Sequence, residues 1–172
     1  MNWFPQIVAS CINLPCKVIK IEAAEIMRNS PRYAALCTID SSAPSKHFAS
    51  IIDELPRRHG SLLFQLRSGH APLNKHLFRI KKSLTATCQL CNEKDESVHH
   101  YLFECPAHIR PRNAMRTQLG TRAHHMKNLL NESKCLKTLF QYIARTRRFE
   151  TTFGDMSLPK EREEVQRDGG DG

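Results

Sequence analysis

The chain has 172 residues, 40% of them apolar and 25% charged, which is enough for one domain with a hydrophobic core or two very small domains. Lysine and arginine total 26 against 17 acidic residues, and the formal net charge of +9 favours a polyanionic partner such as nucleic acid or an acidic membrane surface. No apolar run approaches the roughly 20 residues of a membrane-spanning helix, and no basic segment opens the chain as in a signal peptide. We therefore expect an intracellular protein, nuclear or cytoplasmic, with no membrane partner.

Apolar residues at the helical period predict a series of short helices. Residues 1–20 show no clear period and are predicted to be a loosely ordered leader, whereas residues 21–155 are predicted to form a helical domain. Proline and glycine mark several helix starts and ends. The predicted helices are a weak one over Val18–Arg28, one opened by Ser30 and Pro31, Phe48–Leu55 capped by Ser45, Leu62–Leu66 ended by Gly69, Leu73–Ile80 with Pro72 in its first turn, one toward Leu119 ended by Gly120, and Leu136–Ile143.

Strand signals are scarce, because alternation with a period of two is nearly absent. Short helices with tight connections predict a mainly α fold, a small helical bundle. The end of the chain is polar and rich in glycine, so residues 156–172 are predicted to form a disordered tail.

Three of the seven cysteines and one histidine have the spacing of metal ligands, Cys88-x2-Cys91-x8-His100-x4-Cys105. Two cysteines two residues apart can form a tight turn that points both sulfurs at one centre, and zinc takes four such ligands in a tetrahedron. The spacing predicts one structural zinc ion in a knuckle over residues 87–106, embedded in the helical bundle.

The second half of the knuckle is predicted to be a short helix over 98–104 that is capped by Ser97. Pro106 biases Cys105 out of this helix. Residues i and i+5 of an intact helix lie about 140° apart, so the break after residue 104 is expected to turn Cys105 toward the side of His100.

Several alternatives remain open for this cluster. His99 competes with His100, although four residues between histidine and cysteine favour His100. Free thiols, or a redox-active disulfide between Cys88 and Cys91, would need no metal. A catalytic zinc would keep one position open for water, whereas four protein ligands close the site.

Two basic stretches flank the predicted knuckle. Residues 55–82 contain seven basic residues and no acidic one, residues 106–149 contain ten basic residues and one acidic one, and residues 92–104 between them contain four acids and one lysine. Lysine and arginine contacts to phosphates give affinity for nucleic acid of any sequence. The candidate nucleic-acid-binding residues are Arg57, Arg58, Arg67, Lys75, Arg79, Lys81, Lys82, Arg110, Arg112 and Arg116.

Several segments resemble a known family. Residues 55–77, LPRRHGSLLFQLRSGHAPLNKHL, resemble the C-terminal region of fungal non-LTR retrotransposon proteins, where it follows the reverse transcriptase and RNase H domains. Residues 87–106, with VHHYLFECP at their end, resemble the reverse-transcriptase zinc-binding motif of that family. YIARTRRF at 142–149 and TFGD at 152–155 are similar to its closing segment, and the resemblance extends over roughly residues 21–155.

The resemblance implies that the chain helps a retroelement protein to hold template RNA or target DNA, with low sequence specificity. The chain has no Asp-Asp pair for a polymerase and no carboxylate set for RNase H chemistry, so we expect no enzymatic activity and a detached C-terminal portion. Two alternatives remain: a zinc-stapled protein-interaction module that docks on the polymerase and RNase H domains, or a non-functional element fragment.

Overall fold

The computed structural model describes residues 25, 26, 28–40 and 46–158. The chain divides into two units, Met1–Ser45 and Lys46–Gly172. The predicted leader, the cap at Ser45 and the part of the predicted tail from residue 159 onward lie outside the described residues. Most of the weak helix predicted over 18–28 is outside them too, although Glu25, Ile26 and Arg28 are helical.

In the first unit, helix α1 spans Pro31–Cys37. The carbonyl of Ser30 accepts the N–H groups of Tyr33 at 2.9 Å and Ala34 at 3.4 Å. The proline occupies the first helical position, where the missing N–H costs nothing. The helix predicted to open at Ser30 and Pro31 is therefore confirmed.

The second unit is also built from short helices, so the predicted mainly α fold is confirmed. Within the described residues no strand forms, and the one isolated bridge joins Thr87 to Asp95 in antiparallel fashion. The helices are α2 (Lys46–Asp53), α3 (Arg57–Ser68), α4 (Asn74–Arg79), a π-helical turn (His100–Glu104), a 3₁₀ turn (Pro106–His108), α5 (Ile109–Leu119), a 3₁₀ turn (Gly120–His124), α6 (Met126–Asn131), α7 (Ser133–Thr146) and α8 (Glu150–Phe153).

Glycine and proline lie at several of these boundaries, and the predicted helix ending at Gly69 is confirmed. Gly69 ends α3 with a left-handed φ of 70°, where a side chain would be strained. Pro111 lies in the first turn of α5, where helical N–H groups lack partners in any case. The prediction for Pro72 was wrong, because α4 begins at Asn74, after the extended residue Leu73.

The core lies between the helices of the second unit. Helix α7 packs against α5 and α6, and α3 packs against α6 and α2. The apolar stripes that predicted α3 and α7 supply much of this core, so burial of these faces stabilises the bundle. The fully buried apolar side chains include Leu62, Leu63, Leu66, Leu139, Phe140 and Ile143.

The end of the described chain is attached to α3. His59 is fully buried on α3, and its Nε2 lies 3.1 Å from the carbonyl oxygen of Met156. Met156 is itself only 2% exposed, so packed structure continues past the domain boundary predicted at residue 155. No helix in the described part of the chain is long and apolar enough to cross a membrane.

Candidate metal centre

Cys88 and Cys91 lie on a tight turn that the backbone closes. The Cys88 N–H donates to the carbonyl of Lys94 at 2.8 Å, and the Asn92 N–H donates to the carbonyl of Cys88 at 2.8 Å. Asn92 has a left-handed φ of 57°, a conformation that asparagine tolerates better than most residues. These contacts form the turn that the spacing of the two cysteines predicted.

His100 and Cys105 lie at the two ends of the π-helical turn. The Ser97 hydroxyl accepts the His100 N–H at 3.0 Å, so Ser97 caps this helical segment as predicted. The Cys105 N–H donates to the carbonyl of His100 at 2.8 Å. This i+5 hydrogen bond widens the turn and brings Cys105 back beside His100. The convergence therefore uses a π turn before Pro106, and not only the predicted break after residue 104.

The four side chains lie close enough together to share one metal ion. Their donor atoms all lie within 4.8 Å of one another. The sulfurs of Cys88 and Cys105 are 3.8 Å apart, and the Cys91 sulfur lies 3.4 Å from His100 Nε2. Zinc bonds of about 2.3 Å to sulfur and about 2.0 Å to nitrogen predict tetrahedral edges of roughly 3.8 Å and 3.5 Å. Three sulfurs and one imidazole at these separations fit a zinc ion.

Only one of the two neighbouring histidines enters the cluster. His100 is 2% exposed. The His99 side chain is 61% exposed, and its Nδ1 lies 3.3 Å from a carboxylate oxygen of Glu104. Of the two histidine alternatives left by the sequence, the structure brings His100 to the three cysteines.

Glu104 faces the outer nitrogen of His100. Its Oε2 lies 3.6 Å from His100 Nδ1 and 3.2 Å from the ammonium group of Lys94. The hydrogen bond from Lys94 lowers the pKa of Glu104, so the carboxylate is ionised at neutral pH. Metal-bound histidines commonly direct their second ring nitrogen at such a carboxylate.

The protein environment shifts the pKa values of two of the thiols in opposite directions. Burial raises the pKa of Cys105 to about 12. In contrast, the backbone N–H of Glu93 lowers the pKa of Cys91 by hydrogen bonding to its sulfur. Zinc binds the thiolate form, so binding a metal here requires that the buried thiol lose its proton.

A buried ion pair anchors the knuckle to two other segments. Glu96 is 2% exposed and accepts two hydrogen bonds of 2.6 Å from Arg148, which follows α7. It also accepts the N–H of Asn74, the first residue of α4, at 2.7 Å. Neither partner was predicted, because nothing in the acidic run of the sequence distinguishes Glu96 from Glu93 or Asp95.

Two of the predicted nucleic-acid-binding arginines are buried, so their prediction as phosphate contacts was wrong. Arg67 is 5% exposed, donates to the carbonyl of Leu130 at 3.1 Å and lies 3.6 Å above the ring of Phe48. Arg112 is 4% exposed and donates to the carbonyls of Leu102, at 3.1 Å, and Cys105. Both guanidinium groups satisfy buried backbone carbonyls and are not available to a phosphate.

The other predicted cations lie on or near the surface. Arg116 is half-buried, and Lys75 is exposed but lies 3.4 Å from the carboxylate of Asp95. The remaining exposed members of the predicted set are Arg57, Arg58, Arg79, Lys81, Lys82 and Arg110.

Comparison with known proteins agrees with the metal centre. Residues 33–110 match the family model described as zinc-binding in reverse transcriptase. The match includes all four residues of the cluster, and it confirms the predicted resemblance to a reverse-transcriptase zinc-binding segment. No curated protein and no solved structure matches the chain.

Proposed function

We propose that the chain is a zinc-stapled module that binds RNA or DNA and belongs to the C-terminal region of a fungal non-LTR retrotransposon protein. The observation that carries the proposal is a four-donor cluster, Cys88, Cys91, His100 and Cys105, in a chain whose described part also has exposed cations that form no ion pair. The match of residues 33–110 to a zinc-binding segment of reverse transcriptases supports the same assignment.

The proposed role is binding and not catalysis. Four protein donors would fill the tetrahedral shell of zinc, so no coordination position would remain for an activated water. In this proposal the metal is structural, and it fixes the knuckle between the two basic stretches.

The surface charge supports nucleic acid as the partner. Within the described residues, none of the exposed cations Arg57, Arg58, Arg79, Lys81, Lys82 and Arg110 forms an ion pair. A cation that is not in an ion pair can contact a phosphate without first breaking an internal interaction. Each such contact releases counterions that are condensed on the nucleic acid.

The test combines metal analysis with a salt titration. Purified protein is expected to hold one zinc ion per chain. Filter binding is expected to show affinity that falls about 50-fold on a single strand, or about 150-fold on a DNA duplex, between 50 and 200 mM salt, as for roughly four phosphate contacts. Equally weak affinity at both salt concentrations would overturn the nucleic-acid part. Protein without stoichiometric zinc would overturn the metal part.

A second candidate function has its own observation. Leu90 in the cysteine turn and Ile109 at the start of α5 are 54% and 53% exposed. Exposed aliphatic residues within the knuckle and shortly after it in the sequence are suited to docking on the polymerase and RNase H domains of a retroelement protein. If Leu90→Asp and Ile109→Asp abolished binding to those domains while salt-dependent nucleic-acid binding was absent, this second function would replace the first.

A further inference from the structure

The end of α4 carries an exposed aromatic ring in a basic environment. Phe78 is 51% exposed and Ile80 is 47% exposed. Exposed cations follow and precede the ring in the sequence. We call the residues Lys75, Phe78, Arg79, Ile80, Lys81 and Lys82 the Phe78 surface.

The backbone folds the residues that carry two of these cations back onto the end of α4. The Lys81 N–H donates to the carbonyl of Phe78 at 3.0 Å, and the Lys82 N–H donates to the carbonyl of Leu77 at 2.7 Å. This pair of hydrogen bonds is a Schellman ending, with Lys81 at the left-handed position that glycine usually occupies. Its φ is 59°. The chain thus turns at the helix end, and both lysines stay close to Phe78.

Three of the four cations of this surface are available to a ligand, whereas Lys75 lies 3.4 Å from the carboxylate of Asp95. In the part of the chain that the structure describes, Arg79, Lys81 and Lys82 form no ion pair. The guanidinium of Arg79 lies 2.9 Å from Nδ1 of His76, whose ring packs edge-on against His70 with centroids 5.0 Å apart. A neutral His76 accepts this hydrogen bond and fixes the position of Arg79.

We infer that the Phe78 surface binds single-stranded nucleic acid, an inference that rests on the proposed function and names its substrate class. An unpaired base stacks on the Phe78 ring, while Arg79, Lys81 and Lys82 contact the phosphates on either side. Alternating aromatic and cationic contacts of this kind bind single strands of any sequence, because every base has a π face. In a duplex the bases are stacked on one another, so no base face is free to stack on the Phe78 ring.

The chain offers a matched control for the ring. Phe64 on α3 is 57% exposed, but it has no exposed cation at helical neighbour positions. The residues three and four positions away are Gly60, Ser61, buried Arg67 and Ser68. Phe78 and Phe64 therefore differ in charge environment and not in residue type or exposure.

The experiment compares Phe78→Ala, Phe78→Trp and Phe64→Ala in the full zinc-loaded chain by fluorescence anisotropy. The probes are 12-residue oligo(U), oligo(dT) and a duplex of the same length. Phe78→Ala is expected to weaken single-strand binding about 10-fold, as for the loss of one stacked base, and to change duplex binding less than twofold. Phe78→Trp should retain binding to the single strand, and Phe64→Ala should match the parent protein.

A second variant tests the phosphate contacts without weakening the fold. Lys81→Gly removes one cation from a left-handed position that suits glycine, so its thermal midpoint should not fall. The slope of log affinity against log salt on oligo(dT) should become shallower by about 0.7. An unchanged slope would contradict a phosphate contact at Lys81.

The outcomes separate this inference from the proposed function. Salt-dependent binding that is equal in Phe78→Ala and Phe64→Ala overturns the single-strand site and leaves the nucleic-acid proposal intact. A parent protein that binds none of the oligonucleotides removes both. If the parent instead co-sediments with phosphatidylserine vesicles through Phe78 and ignores the oligonucleotides, the surface is a lipid site and the inference is wrong.

Discussion

Glu104 connects the metal centre to the surface charge around it. One carboxylate oxygen lies near Nδ1 of His100 and the ammonium group of Lys94, and the other lies near His99. Because Nε2 of His100 faces the sulfur of Cys91, the carboxylate is on the side of the ring that a bound metal would not occupy. It can therefore hold the ring in the orientation and tautomer that a metal ligand needs.

Glu104→Gln is expected to weaken zinc affinity 10- to 100-fold, because the neutral amide is a poorer partner for the ring N–H of a bound histidine. Competition with a chromophoric chelator at pH 7.5 measures this loss. Glu93→Gln is the matched control, since Glu93 is an exposed acid of the same knuckle with no side-chain ion pair in the described structure. If the two variants lost affinity equally, the effect would be one of net charge and not of contact with His100.

Single residues differed in how well the sequence could predict them. The four clustered residues have fixed spacing within 18 positions, so local chain geometry was sufficient to bring them together. Arg67 and Arg112 were predicted to be surface cations, yet each donates to backbone carbonyls. The carbonyl that Arg67 contacts belongs to Leu130, 63 positions away, and no local pattern predicts such a partner.

Among the elements, the α-helices with clear apolar stripes were predictable and the π turn was not. The period of 3.6 residues is directly visible in α3 and α7. The i+5 hydrogen bond between Cys105 and His100 depends on Ser97 capping one end and on Pro106 diverting the chain at the other. A π turn leaves no periodic signal over five residues, so the sequence predicted an ordinary helix there.

The Glu96–Arg148 pair holds three elements together: the knuckle, the start of α4 and the turn after α7. The side chain of Glu96 is 3% exposed and that of Arg148 is 23% exposed. A buried carboxylate that loses its partner keeps its desolvation cost, so removal of one member is much more costly than the net value of the pair.

Arg148→Met should therefore lower the free energy of unfolding by about 3 kcal/mol, measured by urea denaturation of zinc-loaded protein. Arg145→Met, an exposed position on α7, should change it by less than about 0.5 kcal/mol. If Arg148→Met lowered the free energy of unfolding as little as Arg145→Met, Glu96 would have found another partner. The pair would then not anchor the knuckle.

At the scale of the whole molecule, residues that adjoin the metal centre in the sequence also belong to the helical core. Tyr101 and Leu102 directly follow His100 and are both buried. Tyr142 of α7 donates to the carbonyl of Tyr101 at 2.5 Å, and the Tyr101 hydroxyl lies 2.7 Å from that of Thr146. A change in the π turn would therefore reach α7 through two hydrogen bonds and the packing of the aromatic rings.

Metal removal is accordingly expected to unfold much of the second unit and not only the knuckle. Zinc coordination supplies on the order of 10 kcal/mol in small metal-dependent folds, comparable to the whole stability of a domain this size. Chelation, Cys88→Ser or Cys105→Ser should lower helical circular dichroism and abolish a cooperative thermal transition. Added zinc should restore both in the chelated parent protein.

Cys135→Ser is the control for loss of a buried thiol, because Cys135 is fully buried on α7 but lies outside the cluster. It should retain one zinc ion and a cooperative transition. Chelated protein that kept its helicity and its transition would show that the helices pack without the metal, since the contacts of Tyr101 with α7 would then be sufficient to hold the π turn. If helicity and the cooperative transition were instead lost only when the cluster is disrupted, zinc binding and folding of this unit would be a single equilibrium.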